Sequence, residues 1–132
     1  MNLKNSRLLV VAAHPDDDIL GCGGTLSLAK SLKSKIKILY LSEGVSARFG
    51  IGNEESKESL RARKIRKQEC INSLKVLGVK NYVFEERYST KFDTYPLYDL
   101  IQSIEREIKL FKPTIIFTHN PSEVNIDHRL TY

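Results

Sequence analysis

Cysteine is scarce in this sequence: Cys22 and Cys70 are the only two, far apart and in no CxxC pair. A structural disulfide or a cysteine zinc cage is therefore not expected. Long apolar runs are also missing, so nothing reads as a membrane span. The polar start, Met1 to Arg7, does not resemble a secretory signal. With no other address, the cytoplasm is the default expectation. Repeats, linkers and low-complexity segments are absent too. The 132 residues are read as one domain, 1–132, large enough to bury a core. A formal charge of +5 makes the surface mildly basic. Much of that charge lies between Lys57 and Lys67, where Glu54, Glu55, Glu58 and Glu69 dilute it. We read a solvated helix face there and expect no nucleic-acid partner.

What is present alternates strand and helix. Apolar runs predict strands over about Arg7–Ala13, Ile36–Ser42, Asn81–Glu85 and Thr114–Thr118. Between them, helices are expected over about Gly23–Lys33, Lys57–Leu77 and Pro96–Phe111. Leu26, Leu28, Ala29 and Leu32 are available for the inner face of the first. Ile65, Ile71, Leu74 and Leu77 can share a face of the second, with Gly78 as its C-terminal stop. Val45–Ser56 carries Gly50 and Gly52 and reads as a mobile loop over a site. The β-α-β-α-β-α-β order predicts an α/β, Rossmann-like parallel sheet with helices on both faces. The chain stops about one turn into a fourth helix, so a C-terminally truncated domain is expected.

His14-Pro15-Asp16-Asp17-Asp18 directly follows the first strand. Open α/β sheets bind ligands at the carboxyl ends of their strands. An imidazole and carboxylates suit a borderline metal such as zinc. His14 and Asp17 can converge on one ion, but a catalytic zinc usually takes three protein ligands. The third would come from His119 or His128, both after the fourth strand, which a doubly wound order places beside the first. Simpler readings stand beside this one. Asp16 or Asp17 could cap the helix. His119 could pair with a backbone carbonyl, and His128 could be a surface residue. Cys22 reads as a small packed residue rather than a nucleophile. Gly21-x-Gly23-Gly24 is not GxGxxG, and three carboxylates beside it would repel a pyrophosphate.

Ala12 to Asp18 resembles the AHPDDE signature of the LmbE-like, or PIG-L, zinc-dependent N-deacetylases. Thr118 to Arg129 is similar to their second motif, which ends in x-D-H. Gly44-Val45-Ser46-Ala47-Arg48, Arg66, Glu69, Leu77-Gly78 and Asp93-Thr94 fit the pattern between them. The resemblance implies Zn2+ held by His14, Asp17 and His128, with Asp16 as general base. It implies hydrolysis of the N-acetyl group of an N-acetylglucosamine-type sugar or sugar conjugate. Asn125 stands where many members have a histidine: it can donate a hydrogen bond but cannot bring a proton. Asp18 replaces the usual Glu and is read as an outer support for the ligands. Arg48, Asp127 and Arg129 are taken as substrate contacts, Asp127 alternatively as a group that orients a ligand. The partner expected is a small N-acetylated sugar or glycoconjugate, and a homo-oligomer is allowed. The rivals are a non-catalytic or incomplete family fragment and a nucleotide-binding or transferase domain on the same sheet.

Overall fold

The structure is a computed structural model and describes residues 2–132; Met1, counted in the expected domain, lies outside the described residues. Four parallel strands form the sheet: β1 (Arg7–Ala12), β2 (Lys35–Ser42), β3 (Asn81–Arg87) and β4 (Ile115–Phe117). Their order is β3-β2-β1-β4. Four helices connect or follow them: α1 (Asp17–Ser31), α2 (Lys57–Val76), α3 (Leu97–Phe111) and α4 (Ile126–Thr131). This is the α/β class that the alternation of apolar runs predicts. β1 is central and pairs with both β2 and β4; Leu8, Leu9 and Val10 lie opposite Ile115, Ile116 and Phe117.

Helices cover both faces, which is why β1 and β2 read as unbroken apolar runs. Leu8, Val10 and Ala12 pack with Leu26 and Ala29 of α1 and with Cys70 and Leu74 of α2. Leu9, Val11 and Ala13 face the other way, against Leu100 and Phe111 of α3 and Leu130 of α4. Fully burying such a leucine contributes about 1.5–3 kcal/mol, so each layer is held by several such contacts. One charged pair enters this core: Lys37 of β2 meets Glu107 of α3, and both are nearly inaccessible.

Several sequence expectations need correction. α1 begins at Asp17, not near Gly23. Asp17 and Asp18 in its first turn favour a helix start by opposing the helix dipole. A kink at Cys22 (φ −144°) parts this opening stretch from a second one that runs from Gly23, where the sequence expectation began the helix. Leu26, Ala29 and Leu74 carry the inner faces as expected, but Leu28 and Ile65 are half exposed and Cys70 is buried beside Leu74. The front of the Val45–Ser56 loop is not loose. Ser46–Phe49 forms a 3-10 turn with Val45 and Ser46 buried. The buried Glu43 carboxylate pins it, accepting from the N–H groups of Val45, Ser46 and Ser89. Gly78 does stop α2: its φ is +68° and its N–H donates to Lys75 O. No helix of the described residues is long and apolar enough to cross a membrane.

Candidate metal centre

Because β4 lies beside β1, the loops leaving both strands meet at the carboxyl edge of the sheet. The loop after β1 carries His14, Asp16 and Asp17; the segment after β4 carries His119, Asn125, Asp127 and His128. His14 Nδ1 stands 3.1 Å from His128 Nε2. The Asp17 carboxylate lies 3.4 Å from His14 Nδ1 and 3.4 Å from His128 Nε2. One donor from each of these residues falls within 4.8 Å of the others. A tetrahedral ion with bonds of about 2.0–2.1 Å separates its ligands by roughly 3.3 Å. The spacing and the mixed nitrogen–oxygen donor set both fit zinc.

The surroundings fix each donor. His14 Nε2 is 2.9 Å from Asp127 Oδ2. Asp127 is completely buried and also accepts from Thr90 N (2.5 Å) and Phe92 N (3.0 Å). It therefore stands behind His14 and orients its ring, as carboxylates do for metal-binding histidines. Of the two roles the sequence left open for Asp127, its burial favours orienting a ligand over touching substrate. Burial opposes charge on His14, but the hydrogen bonds to Asp127 and then Asp17 outweigh it and hold the imidazole up at about 9. Asp17 accepts from the N–H of His14 (2.7 Å). Burial works against its charge, yet the neighbouring His119 and His14 hold its carboxyl well below the usual range. His128 is shifted down, chiefly by burial. His119 is not one of the convergent donors. Its Nε2 accepts from Ala13 N (3.0 Å), and its ring stacks on His128 at 4.1 Å.

Asp16 precedes α1 but makes no capping hydrogen bond, so the capping alternative fails for it. Its carboxylate is partly exposed, and Arg66 Nη1 of α2 lies 3.4 Å from Oδ2. Asp16 lines a cavity of about 240 Å³ with His14, Arg48, Ser89, Thr90 and Asn125. Arg48 has no ion-pair partner among the described residues. Asn125 begins α4 and spends Oδ1 on the Asp127 N–H, which leaves its amide nitrogen for the cavity. Arg129 is exposed on α4 and is not part of this cavity wall. Asp18 turns inward rather than supporting the ligands. Neither of its carboxylate oxygens has a hydrogen-bond partner, and burial raises its carboxyl above the usual range. Sequence reasoning missed Ser89, Thr90 and Phe92. Their only signal was a place after β3 at the carboxyl edge. Gly44, at the β2 exit, is required by geometry: its φ is +80°, and a Cβ there would sit 2.5 Å from Pro15 Cδ.

Comparisons with known proteins bear on the fold and the family. The chain is 27% identical over 134 residues to the uncharacterized deacetylase YaiS of Escherichia coli (strain K12), covering 98% of this chain and 65% of that protein. Its fold matches N,N'-diacetylchitobiose deacetylase from Pyrococcus horikoshii with a TM-score of 0.81 at 23% identity, over 99% of this chain and 50% of the other. It also matches GalB, the 4-carboxy-2-hydroxymuconate hydratase of Pseudomonas putida KT2440, with a TM-score of 0.77 at 22% identity, over 96% and 52%. The chain thus spans about half the length of these solved structures and 65% of YaiS. The two structures share the fold, and one sheet serves both a deacetylase and a hydratase, so fold alone does not name the reaction. Residues 9–132 match the family model described as PIG-L, GlcNAc-PI de-N-acetylase. With nearly the whole chain matched, the protein belongs to the PIG-L family of deacetylases.

Proposed function

We propose that this chain carries the metal-binding and proton-transfer groups of a zinc-dependent N-deacetylase. Its substrate would be an N-acetylglucosamine-type sugar or sugar conjugate. The convergence of His14, Asp17 and His128 beside a cavity that holds Asp16 is the observation that supports this most. These three residues would hold the ion. When bound, zinc lowers the pKa of water toward about 7 and polarises an amide carbonyl.

The remaining steps belong to side chains. Arg66 engages Oδ2 of Asp16, which leaves Oδ1 to take a proton from the attacking water. The water oxygen bonds to the acetyl carbon. Asp16 then returns the proton to the amide nitrogen as the C–N bond breaks, giving acetic acid and an amine, which exchange the remaining water proton to leave acetate and an ammonium group. Asn125 donates from its amide nitrogen to the developing oxyanion but supplies no proton. Arg48, free of a carboxylate partner, presents its planar fork to sugar oxygens. The deacetylases among the similar proteins support this chemistry, while the hydratase keeps the site, rather than the fold, as the argument.

Asp16→Asn tests the reading. The variant should keep its zinc and release acetate from an N-acetyl sugar about 100-fold more slowly or worse, the usual range for a general base. Near-full turnover with zinc retained would remove Asp16 from the mechanism.

A further inference from the structure

His128 has a second ring nitrogen that the site described above does not use. Nε2 faces His14 and Asp17, so Nδ1 must carry the proton if Nε2 is to give its lone pair to an ion. Nδ1 is buried and has no hydrogen-bond partner. The carboxylate facing it is Glu123, whose Oε2 lies 3.8 Å away. Metal-binding histidines almost always give this second N–H to a carboxylate, a carbonyl or water. For His14 that carboxylate is Asp127.

We propose that Glu123 is the positioning residue for His128, accepting its Nδ1–H and fixing the ring that presents Nε2 to the metal. The carboxylate is already aimed. Its Oε1 accepts from Val124 N at 2.9 Å, which turns Oε2 toward the ring. The turn beneath it is tied by Glu123 N to Asn120 O and by Ser122 N to Asn120 Oδ1. The ring is limited from its other side by the stack on His119. Shortening the gap by about 1 Å gives an ordinary hydrogen bond. The two histidines are thus held differently. Asp127 is sealed in the interior, whereas the Glu123 side chain is 44% exposed on a surface turn. The grip on His128 is the adjustable one.

This inference rests on the metal site proposed above. Its test is zinc affinity, measured by competition with a chromophoric chelator. Glu123→Ala should bind zinc about 10-fold more weakly or worse. Glu123→Gln, which keeps a carbonyl acceptor, should lose less. Ser122→Ala, on the same exposed turn, should match the parent. In the zinc-loaded parent the His128 Nδ1–H proton should appear as a shifted, slowly exchanging resonance, and Glu123→Ala should lose it. Parent-like affinity in Glu123→Ala, with binding abolished in His128→Ala, would overturn the role of Glu123 and leave the metal site standing. A parent protein that binds no zinc would overturn the site itself, and Glu123's role with it.

Discussion

Replacing Asp127 by alanine removes one carboxylate and strands three donors: the N–H groups of Thr90 and Phe92 and the Nε2 side of His14. Each buried donor left unpaired costs about 1–3 kcal/mol. Thr90 is exposed and can turn its N–H to water, so the full penalty falls on Phe92 and His14. The expected loss is about 2–6 kcal/mol, a large share of the roughly 5–15 kcal/mol that holds a domain together. Asp127→Asn keeps one acceptor oxygen and should lose less, about 1–3 kcal/mol. Urea denaturation of the metal-free proteins, followed by circular dichroism, measures both. The midpoint should fall in the order parent, Asn, Ala, with the slope unchanged. A loss below about 1 kcal/mol in Asp127→Ala would show that the carboxylate does not tie the β3–α3 turn to His14. The reasoning about this residue would then fail.

Gly44→Ala should destabilise by at least about 1 kcal/mol, because φ is +80° and the new Cβ strikes Pro15 between His14 and Asp16. It should also reduce bound zinc in elemental analysis, while Gly24→Ala, with open space around its Cβ, should do neither. Unchanged metal content in Gly44→Ala would refute the wall that these two residues form. Burial holds both Cys22 and Cys70 up at about 11, above the usual thiol value. A raised folded value means the native state keeps protons that the unfolded state releases. Stability should therefore fall as pH rises from about 9 toward about 11. At pH 8 both thiols should react with Ellman's reagent only after denaturant is added. Rapid labelling of the folded protein would contradict this.

The strands were legible because each carries a short apolar run, and β1 showed its site because His14 follows that run without a gap. The pairing of β1 with β4 followed from the α/β class and brought the right two segments together. What the sequence hid was set by distant contacts. Asp127 looked like a substrate contact because its neighbour is His128. Only the approach of Thr90 and Phe92 from the β3 exit turns it inward. His119 and His128 were equal candidates by position; the Ala13 N–H, which takes the lone pair of His119 Nε2, separates them. The early start of α1 was hidden by three glycines, among which the chain kinks at Cys22. Glu43 gave no local signal at all, since its three amide partners come from two different loops.

The two histidines that converge lie 114 residues apart in sequence. A three-residue ladder joins the strands that deliver them. A ribosome must therefore release both distant segments before the donor set can exist. Until β4 docks, His14 and Asp17 offer an incoming ion only two protein ligands. Capture of the proposed ion would then wait on a long-range closure, the kind of contact that slows folding. Zinc supplied during refolding should report the arrival of β4 at β1.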